Sequence, residues 1–226
     1  MSKNNNYISK EYKAFVDLLN FSNGKYSIRD IFRDFVVMFA IAIKNQFIYS
    51  QEDEDMYIGI INTYLDKERE VFPKLICELV KIVSKDDDFK DVLGEIYQQI
   101  GANSRINEQF FTPNNVAKLM AEINIDIEKI KSKDYIIISD PTCGSGVILI
   151  NAANYLDLKN INYRNKALFV GQDIDFICVC MTYVQMTLYG MAGYVIQGNS
   201  LLNEKNKIFY TPEFFIGDWY SKKECA

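Results

Sequence analysis

The residues best suited to chemistry form a short polar turn, Asp140-Pro141-Thr142-Cys143-Gly144-Ser145-Gly146. It lies between an apolar run that predicts a strand and a second apolar run, residues 147–155, that predicts a helix. Glycines allow positive φ and let a ligand approach the backbone without a Cβ in the way. The helix that follows presents unpaired N–H groups at its start, which suit an anionic group. This glycine turn, residues 140–146, therefore predicts a nucleotide site of an α/β sheet.

A second acidic position follows the next predicted strand. Asp173 ends the second predicted strand, two residues after the run 167–171, where a carboxylate can accept hydrogen bonds from both hydroxyls of a ribose. The turn does not match the dinucleotide fingerprint G-x-G-x-x-G, because Leu149 stands where the third glycine belongs. A nucleotide-dependent oxidoreductase is therefore the least favoured hypothesis.

Four further motifs accompany the glycine turn. Two lie upstream, Asp91-Val92-Leu93-Gly94-Glu95-Ile96-Tyr97 and Glu108-Gln109-Phe110-Phe111-Thr112-Pro113, and the others are Gly171-Gln172-Asp173-Ile174-Asp175 and Gly198-Asn199-Ser200-Leu201. This set, over residues 88–203, resembles the modification subunit family of type I restriction systems, the adenine-N6 DNA methyltransferases. The resemblance implies S-adenosylmethionine as cofactor and methyl transfer to adenine N6 of DNA, with a separate specificity subunit reading the DNA sequence.

The resemblance also implies a set of cofactor-binding residues. The glycine turn would hold the methionine end, with Asp140 accepting from the α-ammonium, and Asn199 would accept from the adenine amino group where the family usually has Asp. The full set is Phe110, Phe111, Thr112, Pro113, Asp140, Pro141, Thr142, Cys143, Gly144, Gly146, Asp173, Ile174 and Asn199. Each motif keeps a structural alternative: a ligand-free strand–helix turn, a helix N-cap, or a turn asparagine.

The catalytic motif of that family, Asn/Asp-Pro-Pro-Tyr/Phe, is absent, because no two of the four prolines are adjacent. In the family it accepts hydrogen bonds from the target N6 amino group and stacks an aromatic ring on the flipped-out base. The nearest substitute contains Thr211, Pro212 and Phe214, which we predict as a stand-in; the alternative is a turn leading into a surface segment. Two hypotheses stay open: an active methyltransferase, with or without a partner that completes the site, and a degenerate cofactor-binding regulatory or assembly subunit.

Composition limits the other functions. A net charge of −5 argues against a free-standing nucleic-acid binder, so DNA contact would need a local basic patch or a protein partner. There is no histidine and no CxxC pair among the five cysteines, so we predict no metal site. The longest apolar run, residues 35–43, is too short to span a bilayer, and we expect a cytoplasmic protein with reduced thiols and no membrane partner. Self-association is left open.

The pattern of elements predicts an α/β fold in two domains. Residues 1–101 would form a helical bundle, with helices at 28–48, 52–69, 73–84 and 89–100. Residues 102–226 would form a Rossmann-like S-adenosylmethionine-dependent methyltransferase sheet, truncated in its C-terminal half. Its strands are expected at 135–139, 167–171, 194–197 and 207–210, and its helices at 113–123, 146–156 and 174–190. Thr112 is expected to cap the first of these helices, with Pro113 as its first residue.

Overall fold

A computed structural model describes residues 8–22, 24–85, 88–101 and 111–224. Contacts between Cα atoms divide the chain into two compact units. One unit consists of Met1–Asp87 and Val92–Phe110, and the other of Asp88–Asp91 and Phe111–Ala226. The short segment Asp88–Asp91 therefore belongs with the second unit, although helical sequence flanks it on both sides. The domain boundary between residues 101 and 102 stays a prediction.

The first unit is helical where it is described. Its helices are α1 Lys13–Leu19, α2 Ile28–Lys44, α3 Gln51–Ile61, α4 Asp66–Arg69, α5 Val71–Val83 and α6 Val92–Gly101. Ser27 caps α2 as predicted, since its side chain accepts from the Asp30 N–H. The helix predicted over residues 52–69 is broken between α3 and α4, where the buried Tyr64 donates to Asp34 Oδ2 at 2.6 Å.

The described part of the first unit has a core rich in aromatic residues and a buried ion pair between α2 and α3. Phe15 meets Phe35 edge to face, with 5.5 Å between ring centroids. Lys44 of α2 binds Asp53 of α3, with 2.6 Å between Nζ and Oδ2, and both side chains are buried. A buried charge is tolerated when it is paired, so this contact fixes α3 against α2.

The second unit contains a four-stranded sheet in its described part. Its strands are β1 Ile136–Asp140, β2 Ala167–Asp173, β3 Gly193–Gln197 and β4 Lys207–Tyr210, in the order β1-β2-β3-β4. The first three strands are parallel, and β4 pairs antiparallel with β3. Its helices are α7 Asn114–Asn124, α8 Ile127–Lys131, α9 Val147–Leu158, α10 Tyr163–Lys166, α11 Phe176–Leu188, α12 Pro212–Ile216 and α13 Trp219–Glu224. The predicted α/β fold and the predicted strands are confirmed.

Long buried helices connect the parallel strands. The helix α9 joins β1 to β2 and α11 joins β2 to β3, and most residues of both helices are buried, in keeping with their apolar sequences. The register pairs Asp140 with Gly171 and Asp173 with Gln197. The carboxyl ends of β1, β2 and β3 therefore meet at one edge of the sheet, the usual ligand-binding edge of an open α/β sheet.

A small apolar cluster fixes the two C-terminal helices. Phe214 of α12 and Trp219 of α13 are buried with Leu168 and Ala192. The Trp219 ring also meets Tyr135 edge to face at 5.4 Å, and its Nε1 donates to Arg164 O at 3.0 Å. Phe214 and Trp219, which follow β4, are thus part of the core of this unit. No helix in the described ranges is both long and apolar enough to cross a membrane.

Candidate functional site

Asp140, the last residue of β1, presents a buried carboxylate at the ligand-binding edge. Its Oδ1 accepts from the Thr142 N–H at 3.0 Å. Its Oδ2 is buried, and no described residue donates a hydrogen bond to it. Burial raises the pKa of the Asp140 carboxyl above its ordinary 3.8, and the charge of Asp173 raises the pKa further, against the opposing Thr142 bond. A buried acceptor without a donor suits a cationic group of a ligand.

The glycine turn requires glycine at two positions. Gly144 has φ of +54° and Gly146 has φ of +96°, both in the left-handed region. A Cβ on Gly144 would lie 3.1 Å from the Phe111 ring, and one on Gly146 would lie 3.0 Å from Thr182 Oγ1. Left-handed backbone and close packing therefore both favour glycine at these two positions.

Asp173 connects the glycine turn to the loop after β2. Its Oδ2 accepts from the Gly144 N–H at 2.9 Å, and its Oδ1 accepts from the Asp175 N–H at 2.9 Å. The N-cap of α11 is Asp175, which accepts from the Ile177 N–H at 2.9 Å. The alternative that Asp173 is a simple helix cap is therefore wrong. Ile174, between the two aspartates, is exposed.

Thr182 of α11 supports the turn from inside the unit. Its hydroxyl donates to Gly144 O at 2.8 Å and lies 3.5 Å from Cys143 Sγ. Burial raises the pKa of the Cys143 thiol to about 12, so this cysteine is a neutral thiol at physiological pH. Cys143 therefore packs as a small apolar side chain and is not a nucleophile.

Gly198 and Asn199 follow β3 at the same edge of the sheet. The Gly198 N–H donates to Asp173 O at 2.9 Å, and a Cβ on Gly198 would lie 2.4 Å from Glu204 O. Asn199 begins the short helical turn Ser200–Leu202, and its Oδ1 accepts from the Leu201 N–H at 3.0 Å. The amide of Asn199 thus caps its own turn while lying beyond the end of β3.

The upstream motif reaches the glycine turn through one aromatic ring. The Phe111 ring lies against Gly144, since a Cβ added to this glycine would be 3.1 Å from the ring. The helix α7 begins at Asn114 with Pro113 as its N-cap, so the prediction that Thr112 is the cap and Pro113 the first helical residue is wrong by one position. Pro113 has no side-chain acceptor, and no side-chain cap is formed. The predicted site residue Phe110 lies outside the described residues.

The structure places the predicted catalytic stand-in elsewhere. Because β4 runs antiparallel, Lys207 pairs with Gln197 and the carboxyl end of β4 lies beside the amino end of β3. Thr211 is fully buried there, and its hydroxyl donates to Met191 O at 2.8 Å. Pro212 is the first residue of α12 and Phe214 belongs to the apolar cluster. These three residues lie at the edge opposite Asp140 and are not part of this site.

Three buried polar residues beneath the turn were missed in the sequence. They are Asp91, Ser145 and Gln185, none of which belongs to the predicted cofactor-binding set. Ser145 donates through its hydroxyl to Asp91, and Gln185 Nε2 donates to both Asp91 Oδ1 and Ser145 O at 2.8 Å. A usable signal is the placement of Thr182 and Gln185 inside an otherwise apolar helix.

The described residues contain no group of three or more His, Cys, Asp or Glu side chains that could hold a metal ion. The polar groups described around the glycine turn are carboxylates, backbone N–H groups, hydroxyls and side-chain amides.

Comparison with known proteins decides the family. The model of the N-6 DNA methylase family matches residues 88–218, more than half of the chain. The chain belongs to the N-6 DNA methylase family. The match begins at the first residue of the segment Asp88–Asp91 and covers the glycine turn and all four strands. The predicted resemblance to the adenine-N6 DNA methyltransferases is confirmed at the level of the family.

Relatives of this family member are methylase subunits of Methanocaldococcus jannaschii. The type I restriction enzyme MjaIX methylase subunit is 24% identical over 182 residues, which cover 69% of this chain and 31% of that protein. The MjaVII methylase subunit is 31% identical over 139 residues, 57% of this chain and 22% of that protein. The chain spans less than a third of the length of the curated relatives it matches.

Two solved structures are also similar to this chain. A putative class I S-adenosylmethionine-dependent methyltransferase from Listeria monocytogenes has 14% identity and a TM-score of 0.47, over 87% of this chain and 56% of the other. A methyltransferase subunit of a type I restriction-modification system from Streptococcus thermophilus has 21% identity and a TM-score of 0.45, over 87% and 40%.

Proposed function

We propose that this chain binds S-adenosylmethionine and takes part in methyl transfer to N6 of adenine in DNA, as a modification-subunit-like methyltransferase. The observation that carries the proposal is Asp140 Oδ2, buried at the ligand-binding edge without a donor from any described residue. An α-ammonium group would supply that donor and would favour the ionised carboxylate. Membership of the N-6 DNA methylase family supports the reaction class.

The remaining residues around the turn suit the other parts of the cofactor. The glycine turn would receive the methionine end, and Phe111 would border it together with Thr112, Pro113 and Phe110. Asp173 would accept from the ribose hydroxyls; each of its oxygens already accepts one hydrogen bond and can accept another. Asn199 would face the adenine, with Ile174 beside the ribose. The proposed cofactor set is thus the one expected from the sequence, with Asp140 and Asp173 as its charged members.

The chemistry divides between the cofactor and the protein. S-adenosylmethionine supplies a methyl group on a positively charged sulfur. The carboxylates of Asp140 and Asp173 would favour that positive charge and orient the cofactor. The sequence carries no Asn/Asp-Pro-Pro-Tyr/Phe motif to hold the target adenine, so we propose that a partner supplies this half of the site. DNA and a specificity subunit are the proposed partners, since the relatives are named as type I restriction enzyme methylase subunits.

A second candidate function rests on the placement of Thr211 and Phe214. Both are buried away from Asp140, so the predicted stand-in does not supply the missing motif at the ligand-binding edge. The chain would then bind the cofactor without transferring its methyl group, as a regulatory or assembly subunit. Both hypotheses share the cofactor site and differ only in catalysis.

A cytoplasmic location belongs to the same proposal. The described cysteines, Cys77, Cys143, Cys178 and Cys180, are free thiols, which suits a reducing compartment. Self-association stays open and would appear as a mass above that of one chain in light scattering.

The first experiment measures cofactor binding by titration calorimetry. Wild type should bind S-adenosylmethionine, and Asp140→Ala should lose at least about tenfold in affinity, roughly the contribution of one charge-assisted hydrogen bond. Asp134→Ala is the matched control, because it removes an exposed carboxylate just before the other end of the same strand. Absence of binding by wild type at millimolar cofactor would overturn the proposal.

The second experiment separates the two functions. Transfer of a labelled methyl group to DNA is measured with the chain alone and with added specificity subunit, using Asp140→Ala as the inactive control. Incorporation that depends on Asp140 supports the methyltransferase. Cofactor binding without any incorporation in either mixture supports the regulatory or assembly subunit.

A further inference from the structure

Each residue of the segment Asp88–Asp91 contacts other residues of the second unit. Asp88 Oδ1 accepts from Asn154 Nδ2 of α9 at 2.5 Å. Phe89 stacks on Tyr189, with ring centroids 4.6 Å apart and ring planes 16° apart. The Tyr189 hydroxyl accepts from the Lys90 N–H at 3.0 Å and donates to the Lys90 carbonyl at 2.8 Å. These contacts hold the backbone in place immediately before Asp91.

Asp91 directs both carboxylate oxygens at the glycine turn and its support. Oδ2 accepts from the Ser145 hydroxyl, and Oδ1 accepts from Gln185 Nε2 at 2.8 Å. The same Gln185 nitrogen donates to the Ser145 carbonyl at 2.8 Å. Asp91 is 3% exposed, and Ser145 and Gln185 are fully buried. Ser145 is therefore held at its side chain and at its backbone by one buried network.

The position of Ser145 gives this network a role at the site. Ser145 stands between Gly144 and Gly146, the two residues with left-handed backbone. Glycine has many accessible conformations, so a turn of this kind needs outside contacts to keep one of them. The Gly144 N–H points to Asp173 in the observed conformation. Fixing Ser145 fixes the peptide groups on both of its sides, including those of the turn that face the ligand-binding edge.

We propose that Asp91 is a positioning residue for the glycine turn, acting through Ser145 and Gln185 on the affinity for the methionine end of the cofactor. The inference rests on the proposed function, since it names a residue that prepares the same site without touching the cofactor. Its effect is expected to be selective. A ligand that lacks the amino acid portion has no group to place against the glycine turn, so its affinity should depend less on the conformation of the turn.

Two substitutions at Asp91 separate hydrogen bonding from packing. Asp91→Ala removes both acceptors and leaves buried polar groups of Ser145 and Gln185 without this partner. Asp91→Asn has the same shape; its Oδ1 can accept from Gln185 while its Nδ2 donates to the Ser145 hydroxyl oxygen. The asparagine variant should therefore restore much of what the alanine variant loses.

The test compares two ligands by titration calorimetry, S-adenosylmethionine and 5′-methylthioadenosine, which lacks the amino acid portion. Asp91→Ala should weaken binding of S-adenosylmethionine by about tenfold, the order expected for lost hydrogen bonds to a charged group, and change binding of 5′-methylthioadenosine less than about threefold. Asp91→Asn should stay within about threefold of wild type for both ligands.

Ser145→Ala tests the same network if Asp91→Ala does not fold, and a selective loss of S-adenosylmethionine affinity is expected there too. Asp88→Ala is the matched control, because it removes an aspartate of the same segment that contacts α9 rather than the turn. Equal weakening of both ligands, or equal effects of Asp88→Ala and Asp91→Ala, would overturn the inference. If wild type binds neither ligand, the proposed function itself fails.

Discussion

The Asp173 carboxylate, at the end of β2, accepts a 2.9 Å hydrogen bond from the backbone N–H of Gly144, in the turn after β1. This contact joins the two positions proposed for the ribose and for the methionine end of the cofactor. A single carboxylate thus orients the turn and offers acceptors to a ligand.

Asp173→Ala should lose cofactor affinity by more than about tenfold, since it removes proposed ribose acceptors and the Gly144 contact together. Titration calorimetry with S-adenosylmethionine measures the loss. Asp175→Ala is the control: it removes the N-cap of α11 and should lower the free energy of unfolding by about 1 kcal/mol with little change in affinity. Similar affinities of Asp173→Ala and wild type would contradict the assignment.

Asp140→Asn should separate stability from binding. A carboxyl whose pKa is higher in the folded than in the unfolded state binds more protons when folded, so its contribution to stability falls as the pH rises from below 3.8 through the folded pKa. Asparagine does not titrate, so the variant should gain stability relative to wild type over that pH range. Cofactor affinity should fall, because the amide of asparagine carries no negative charge to pair with the ammonium.

Urea unfolding of Asp140→Asn and wild type at a series of pH values from about 3 to 7 checks this prediction, with the range chosen around the ordinary carboxyl pKa. If the difference in the free energy of unfolding between the two proteins stays constant with pH, burial does not raise the pKa of the Asp140 carboxyl.

Gly198→Ala should destabilise the fold strongly. The added Cβ would lie 2.4 Å from Glu204 O, a backbone atom that cannot move without displacing the loop after β3. We expect a loss of at least about 1–3 kcal/mol, the cost of a strained backbone position. Gly59 lies at an exposed position of α3, with no atom within 4 Å of an added Cβ. Gly59→Ala should therefore raise the free energy of unfolding by about 0.5–1 kcal/mol. Thermal and urea unfolding of both variants measure the contrast.

Thr211→Val should affect stability and leave cofactor affinity unchanged. The Thr211 hydroxyl accepts from the Gly193 N–H at 3.0 Å and donates to Met191 O, so valine leaves buried polar groups without a partner. The expected cost is about 1–3 kcal/mol. Thr211→Ser keeps the hydroxyl and should recover most of it. A loss of S-adenosylmethionine affinity in both variants would contradict the placement of Thr211 outside the cofactor site.

The strands could be predicted because each is a short run of apolar residues that ends in polar or glycine residues. The sequence of 207–210 predicts a strand but does not reveal its direction. Antiparallel pairing carries the following Thr211 to the opposite edge, which is why the predicted stand-in failed. The break before α4 was missed for a similar reason, since the Tyr64 contact with Asp34 spans 30 positions.

The cofactor end of the site was predictable where one short segment carries it. The glycines of the turn predict its left-handed backbone, and the position of Asp173 is predicted by the end of a strand. The network beneath the turn joins Asp91 to residues 54 and 94 positions away. No local pattern marks such a contact, because it forms only when the segment before α6 packs on α11.

The position of Asp91 sets a limit on how the chain can be shortened. A fragment beginning at residue 102, the boundary expected from sequence, would retain every strand and every glycine of the turn, yet it would lack the segment Asp88–Asp91. The Ser145 hydroxyl would then lose its acceptor in the protein interior. A fragment meant to keep the turn in its observed form has to begin no later than residue 88, so its minimum length is decided by four residues outside the sheet.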